Sequence, residues 1–215
     1  MKGDEVKMDF YDVINLRRTV RDFAPEPIRE DAIERIIAAG MKAPTNDHMR
    51  DWHFIVIKNK SVAAKCIERI PIHFSDSEVN AIIHDWNLND ECQQNAYRIA
   101  IPKQHRMLLE AACLVIPLLK QKTDILRAES LSHLNGFASI WCCIENIFLA
   151  TTAEGYGATL RIPLGDEAEW VREVLGFPQD YLMPCYIAIG KPKDDAVYVE
   201  QKQFSLKERM HRDHW

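Results

Sequence analysis

The feature that most constrains this chain is a long apolar segment at Leu134–Ala153. Its hydrophobic residues recur at helical spacing over so much of the circumference that a helix here must be buried on several sides. Gly155 and Gly157 follow the segment and tolerate the left-handed turn that ends a helix. A buried helix of this length requires a layered core around it. The stripe consists of Phe137, Ile140, Trp141, Ile144 and Phe148, widened by Ile147 and Thr151.

Shorter periodic segments supply the rest of that core. Ala111–Leu119 is rich in branched residues and is predicted as a strand, with a helix as the open alternative; Pro117 inside it indicates an edge strand or a bulge. The class is therefore α+β, with helices packed around a central, mostly antiparallel or mixed sheet. Further helices are predicted at Asp9–Leu16, Glu30–Met41, Ser61–Ile70 and Asp166–Leu175, and further strands at His53–Lys58, Ala158–Ile162 and Leu182–Ile189.

Two segments fit this pattern poorly, although no linker divides the 215 residues and one domain over 1–215 is expected. Residues 71–105 hold helical fragments around Trp86 without a strong period, which indicates an insertion or cap. Residues 190–215 are charged and have little hydrophobic period. This C-terminal segment cannot form its own core, so it is expected to lie along another surface, such as that of a partner subunit.

Charge and hydropathy exclude several classes of partner. The net charge of −5 gives no electrostatic attraction to nucleic acid or to an anionic membrane. No continuous apolar run approaches the roughly 18 residues that a membrane span needs, and the N-terminus lacks the apolar stretch of a signal peptide. A cytoplasmic protein is therefore expected, and any phosphate that it binds has to be held by a local cluster of basic residues.

The cysteines and histidines indicate no metal site. The six cysteines form no C-x-x-C pair and mostly have apolar neighbours, so they are interpreted as reduced, buried thiols. Adjacent Cys142 and Cys143 point to different faces of the predicted helix. The eight histidines are not spaced as metal ligands, and the pair His211 and His214 lies in the charged C-terminal segment.

Basic residues in the loop Arg17–Arg21 are the first candidate for a binding function. Its three arginines and one threonine can hold a phosphate through charge-assisted, bidentate hydrogen bonds. Such a cluster on its own is also compatible with a solvated surface. Phe23 follows the loop and is expected to fix it to the core.

Two turns are further candidates. Ala43–Trp52 concentrates hydrogen-bonding side chains before a strand, although a polar turn beside a core tryptophan explains it equally well. Gly155–Thr159 lacks the third glycine of a Rossmann fingerprint, so it either lets backbone N–H groups approach a planar ligand or simply caps a helix. Glu145 interrupts the buried helix, where it pairs with a basic group, caps a polar pocket or, as such residues more often do, lies at the helix edge.

The order of these segments resembles the FMN-binding nitroreductases. The family opens with a helix followed by R-R-S/T-x-R and an aromatic residue, and continues with a turn A-P-S-x-x-N-x-Q-P-W-x-F, a G-L-G segment, and a closing L-G-x-P strand with a G-x-P turn. The resemblance covers almost the whole chain and is weakest at about residues 71–105. The matching residues are Tyr11–Phe23, Ala43–Thr45 with Trp52–Ile57, Gly155–Gly157, and Val174–Pro178 with Ile187–Pro192.

The resemblance implies a non-covalent FMN bound at the interface of an intertwined homodimer. Chemistry then takes place on the flavin N5, and no side chain has to act as a catalytic acid, because solvent supplies protons. By resemblance, the phosphate, the ribityl chain and part of the pyrimidine edge are held by Arg17, Arg18, Thr19 and Arg21. The turn residues that approach FMN, often from the second subunit, are Thr45, Asn46, His48 and Arg50. Gly157 and Ala158 face the isoalloxazine, and Lys202 adds a phosphate contact.

The implied activity is a ping-pong cycle in which NAD(P)H reduces the flavin and a small acceptor, such as a nitroaromatic or a quinone, reoxidises it. Three positions depart from the family turn: His48 replaces Asn, Arg50 replaces Gln, and Asp51 replaces Pro. Arg50 is expected to stabilise negative charge on reduced flavin or to face a carboxylate substrate. These departures leave the contacts to the flavin edge open. Two alternatives to the implied activity remain: other flavin chemistry on the same fold, such as a dehydrogenase or a reductive dehalogenase, which residues 71–104 would select, and a flavin-binding sensor without turnover.

Overall fold

The computed structural model of the chain describes residues 8–122 and 124–215. Five strands of this part form one sheet, and every strand pair in it is antiparallel. The helices are α1 (Phe10–Leu16), α2 (Glu30–Gly40), α3 (Lys60–Cys66), α4 (Asp76–Asp85), α5 (Glu91–Ala100), α6 (Gln104–Glu110), α7 (Asn135–Ala153) and α8 (Glu167–Leu175); the strands are β1 (Trp52–Ile57), β2 (Cys113–Lys120), β3 (Gly157–Arg161), β4 (Tyr181–Leu182) and β5 (Tyr186–Gly190).

The sheet lies between two layers of helices, as the predicted class requires. The strand order is β1-β2-β5-β3, and β4 pairs with the end of β2. Successive residues of β2 alternate between two cores, because side chains along a strand point to opposite faces. Leu114 and Ile116 pack with α3, α6 and α8, whereas Cys113 and Val115 pack against α2 and α7. The α+β prediction is confirmed, and so is the buried helix α7.

Pro117 lies in the interior of the sheet, so the expectation of an edge strand or a bulge is wrong. It is opposite Phe54 of β1 in an unbroken register. On the other side of β2, the register with β5 ends at Val115 and the register with β4 begins at Leu119. Pro117 falls in the gap between these two ladders, where its missing N–H leaves no ladder hydrogen bond unmade.

Two predicted elements are shorter than their sequence patterns. The helix expected at Ser61–Ile70 ends at Cys66, and the residues before Pro71 form turns. The strand expected at Leu182–Ile189 is divided into β4 and β5. Pro184 lies in the unpaired stretch between them, since proline donates no hydrogen bond to a ladder.

The segment predicted as an insertion or cap contains the two helices α4 and α5. A small cluster separate from the two main cores joins them, formed by Val79, Ile83 and Ile101. The rings of Trp86 and Tyr97 meet edge to face with centroids 5.4 Å apart. A capping box at Ser75 begins α4, because its side chain accepts from the Glu78 N–H while the Glu78 carboxylate accepts from the Ser75 N–H.

One described helical stretch, Leu131–Ala153, is long and apolar enough to cross a membrane by length and composition, with a mean hydropathy of 1.3. This corrects the expectation that no segment reaches that length, which counted unbroken apolar runs rather than the average over a window. The inner face of this stretch belongs to the core beneath the sheet. Its buried residues are Ile140, Cys143, Ile144, Ile147 and Thr151.

The six cysteines are all unpaired. Four are buried, whereas Cys92 is half-buried and Cys142 is exposed, so the expectation of buried thiols is wrong for Cys142. Adjacent Cys142 and Cys143 lie on different faces of α7, as predicted, because neighbouring helical residues are about 100° apart.

Candidate cofactor site

The loop Arg17–Arg21, which we call the arginine loop, is fixed to the first residues of β3. The backbone N–H of Val20 donates to the carbonyl of Ala158 at 2.9 Å, and Thr19 forms a parallel bridge with the same residue. Phe23 is buried in the core and bridges to Pro192, as expected for an aromatic anchor. The loop therefore has a defined position although it belongs to no helix or strand.

Four of the predicted phosphate ligands line one cavity of about 270 Å³, which we call the arginine cavity. Its walls are the arginine loop, one face of α7 and the start of β3. The lining residues are Arg17, Arg18, Thr19, Arg21, Glu145, Phe148, Thr152, Ala158, Thr159 and Leu160. The structure thus brings together two segments that the sequence places about 140 residues apart, the loop and Ala158.

Arg21 carries a buried donor without an acceptor. Its Nε atom is buried and makes no hydrogen bond to any described residue. Burial lowers the pKa of the guanidinium, against the opposing charges of Tyr97 and Asp22. A buried donor without an acceptor is costly, so this atom fits a site that an anionic ligand completes.

The other two arginines already have partners in the chain. Arg18 donates to the carbonyl of Val199 at 3.0 Å. Arg17 lies beside Glu145, with 3.6 Å between Nε and Oε1. Both guanidiniums line the arginine cavity and retain further N–H groups, because each carries five donors. Glu145 thus pairs with a basic group, one of the alternatives that the sequence left open, and its side chain is also 48% exposed, as expected at the edge of the helix.

The glycine at position 157 allows the loop to approach β3 closely. A Cβ atom at this position would lie 2.5 Å from Val20 Cγ2 and 2.8 Å from Val20 Cβ. No side chain fits at these distances. Gly157 therefore sets the position of the loop, and its neighbour Ala158 lines the cavity.

The polar turn predicted to approach the cofactor lies elsewhere in the chain. Thr45 and Asn46 line a second cavity of about 280 Å³, and neither lines the arginine cavity. The turn is strained, because Asp47, His48 and Arg50 have φ values of 56°, 57° and 48°. Arg50 Nε donates to the carbonyl of Met41 at 3.0 Å.

Lys202, the predicted C-terminal phosphate ligand, forms an ion pair with Asp90 beside the first turn of α5. It does not line the arginine cavity of its own chain. The C-terminal segment around it is exposed from residue 200 onward.

Phe148, Thr152, Thr159 and Leu160 line the cavity but were not predicted as site residues. A signal was present for the first two. Glu145, Phe148 and Thr152 have the spacing i, i+3, i+7, which places them on one face of a helix. The shared face does not stand out in the sequence, because Phe148 also fits the buried stripe of the helix and Glu145 interrupts that helix.

Comparison with known proteins decides the family. The model of the nitroreductase family matches residues 14–191. The chain belongs to the nitroreductase family. This match confirms the predicted family and fold, and it supports the prediction of an NAD(P)H-dependent oxidoreductase.

Individual relatives are distant but cover nearly the whole chain. A protein of Methanothermobacter thermautotrophicus, provisionally named an NADH dehydrogenase/NAD(P)H nitroreductase, is 25% identical over 99% of this chain and 91% of its own length. A BluB-like flavoprotein of Clostridium difficile 630 superposes with a TM-score of 0.71, at 22% identity, over 96% of this chain and 100% of the other. Oxidised iodotyrosine deiodinase bound to FMN and 3-iodo-L-tyrosine superposes with a TM-score of 0.70, at 16% identity, over 96% of this chain and 100% of the other.

Proposed function

We propose that this member of the nitroreductase family binds FMN without a covalent link and uses NAD(P)H to reduce a small acceptor such as a nitroaromatic or a quinone. The arginine cavity carries the proposal. Three guanidiniums and the Thr19 hydroxyl converge there, and one of the guanidiniums has a buried N–H that finds no acceptor among the described residues. A phosphate group would supply that acceptor.

Each part of the cavity would perform a separate task. Arg17, Arg18 and Arg21 would hold the phosphate and the polar edge of the flavin by charge-assisted hydrogen bonds. The small residues at the start of β3 let the backbone approach a planar ring. Phe148 and Leu160 form apolar walls that would exclude water beside it. When bound, FMN supplies the redox chemistry by accepting a hydride and passing electrons to a second substrate.

The proposal includes a homodimer that completes the site. Within one chain, Thr45 and Asn46 line a different cavity from the arginines. The turn that contains them would therefore have to come from the second chain to contact the edge of the flavin ring. The outer face of α1 is unusually apolar, with Phe10 61% and Tyr11 72% exposed, and α1 packs on α7. Several large apolar side chains exposed on one short helix are typical of a subunit interface. The exposed C-terminal segment would lie on the partner.

The first experiment measures the visible absorbance of the purified protein and identifies what acid releases. We expect a two-band flavin spectrum and FMN in equal amount to the chain. The variant R18Q should lose FMN, whereas R98Q should keep it, because Arg98 is an exposed arginine on α5 that lines neither the arginine cavity nor the cavity of Thr45 and Asn46. A colourless protein that does not take up added FMN would refute the proposal.

Turnover is tested on the same protein. Under anaerobic conditions NADH or NADPH should bleach the flavin, and a quinone or a nitroaromatic should restore its absorbance. A flavin that NAD(P)H reduces but no acceptor reoxidises would contradict the enzymatic part of the proposal. Its FMN-binding part would remain.

The dimer has its own test. Light scattering on the flavin-loaded protein at micromolar concentration should give twice the mass of one chain, which is 24.9 kDa. A mass of one chain with flavin bound would refute the shared site.

A second candidate function is reductive dehalogenation on the same flavin. It is favoured by the fold shared with iodotyrosine deiodinase over 96% of this chain. The helices α4 and α5, where the family resemblance is weakest, would then select the substrate. Release of halide from a halogenated aromatic acid by the chemically reduced protein would support dehalogenation. If no halide is released but the reduced protein rapidly reduces a quinone, the NAD(P)H-dependent reductase is favoured instead.

A further inference from the structure

We propose that Glu145 acts as an internal competitor for the cofactor phosphate, which weakens FMN binding by occupying Arg17 and by lowering the positive charge of the arginine cavity. This inference rests on the proposed function. It assigns a role to the one carboxylate among the described residues that line the cavity.

The geometry is that of a displaceable partner. Glu145 Oε1 lies 3.6 Å from Arg17 Nε, which is within ion-pair range but too long for a good hydrogen bond. The side chains are 48% and 35% exposed, so water screens their attraction. Such a pair contributes little to stability. Arg17 can therefore leave the carboxylate for a phosphate at a small cost.

The charges of the cavity support a tuning role. The three arginines face one carboxylate, and no other acidic or basic side chain lines the cavity in the part of the chain that the structure describes. The net charge is therefore smaller by one unit than the arginines alone would give, and it balances a phosphate monoester, which carries about −1.5 to −2 at neutral pH. Glu145 also repels that phosphate directly, because the two anions share one small cavity.

The effect should be selective for the phosphorylated ligand, because the phosphate is the anionic group that a carboxylate repels. Glu145 lies opposite Arg17 at the start of the loop, whereas Ala158 and Leu160 lie on β3. A flavin without a phosphate has no anionic group to be repelled. Neutralising Glu145 should therefore tighten FMN and leave riboflavin unchanged.

The test measures dissociation constants for FMN and for riboflavin by flavin fluorescence, using flavin-free wild-type protein, E145Q and E173Q. Gln has the size and helix propensity of Glu, so the fold of E145Q is preserved. Glu173 is an exposed carboxylate on α8 that does not line the cavity, so E173Q makes the same change of charge elsewhere. We expect E145Q to bind FMN about fivefold more tightly at low salt, an advantage that shrinks at high salt.

The expected riboflavin constant is the same for all three proteins, and E173Q should bind FMN as the wild type does. If the wild type binds FMN but E145Q binds it equally or more weakly, the competitor role is wrong and the proposed function stands. Equal tightening of FMN and riboflavin also overturns the inference, because the effect would not act on the phosphate. A wild type that binds no FMN overturns both proposals.

Discussion

Lys103 Nζ lies 2.5 Å from Asp22 Oδ2 and so ties the residue after the last arginine of the loop to the start of α6. Arg106 donates to Asp22 Oδ1 at 2.7 Å, and the backbone N–H of Val197 donates to Oδ2 at 3.1 Å. The Asp22 side chain is only 9% exposed. One buried carboxylate thus joins the arginine loop, α6 with the residue before it, and the C-terminal segment.

The variant D22N tests this junction. Asn keeps the shape of Asp but removes the charge that Lys103 and Arg106 face, and breaking a buried pair on one side leaves the other charge uncompensated. We expect the free energy of unfolding to fall by about 3 kcal/mol at pH 7, measured by urea denaturation. D195N is the control, because Asp195 is exposed in the C-terminal segment. An equal loss in both variants would contradict the role of Asp22.

Comparison of the wild type with D22N also gives a prediction for the dependence of stability on pH. Burial alone raises the pKa of Asp22, but the Lys103 hydrogen bond, the Val197 N–H and the charges of Lys103 and Arg106 together outweigh it and hold the pKa below its ordinary value of 3.8. The stabilisation is therefore complete above pH 3.8 and is lost as the pH falls through the lowered pKa. The difference in stability between wild type and D22N should shrink in that range, and a difference that stays constant down to acid pH would contradict this.

Arg21 should reduce the stability of the flavin-free protein while it promotes cofactor binding. Its buried Nε has no acceptor among the described residues, so R21M removes a desolvated donor and keeps an apolar stem. We expect R21M to raise the free energy of unfolding of the flavin-free protein by about 1 kcal/mol, which for this size is about 2–4 °C in Tm. FMN should no longer stabilise the variant.

The control for Arg21 is R98M, since Arg98 is exposed and already donates to Asn95 and Gln94. R98M should lower or leave unchanged the Tm of the flavin-free protein and should keep the shift that FMN produces. If R21M destabilises the flavin-free protein as well, the arginine has an unrecognised structural partner and the cost assigned to its burial is wrong.

Periodicity explains why so much of the fold was predictable from the sequence. The stripe of α7 and the amphipathic pattern of α2 are local, since each is set by residues three or four positions apart. The alternating faces of β2 are also local, but its neighbours are not. Pro117 indicated an edge strand because the sequence does not show that two separate strands pair with β2, β5 before Pro117 along the strand and β4 after it.

The site was predictable only as far as its motifs extend. Arg17, Arg21 and Ala158 were identified from the order of the motifs and do line one cavity. The pairing of Asp22 with Lys103 spans 81 positions, and no local spacing relates two such residues. The part of the site assigned to a second chain, including Thr45, stays a prediction, because one chain does not bring it to the arginine cavity.

Gly157 should be intolerant of any side chain. In G157A the new methyl group would overlap Val20, whose Cγ2 lies 2.5 Å from the Cβ position, so the loop or β3 has to move. We expect a loss of about 2 kcal/mol in the free energy of unfolding and a weaker affinity for FMN, because Val20 lies between Thr19 and Arg21. Urea denaturation and flavin titration measure the two effects.

The matched control is G136A. Gly136 lies in the first turn of α7, and a Cβ there would have no atom within 4 Å. Alanine also has the higher helix propensity, so G136A should be neutral or stabilising by up to about 1 kcal/mol. Unchanged FMN affinity in G157A would show that the loop adapts and that the close approach is not required for binding.

The thiols should divide into two classes by reactivity, because the thiolate is the reacting form. Burial raises the pKa of Cys66 to about 11 and the pKa values of Cys113 and Cys143 to about 12, and burial raises the pKa of Cys185 as well. At pH 8 a disulfide reagent should therefore modify at most Cys92 and Cys142 in the native protein, and all six thiols in urea. C142S identifies the exposed one, since it should remove a single fast-reacting thiol. Fast reaction of a third thiol in the native state would mean that one of the two main cores opens readily, and the burial that raises these pKa values would then not persist in solution.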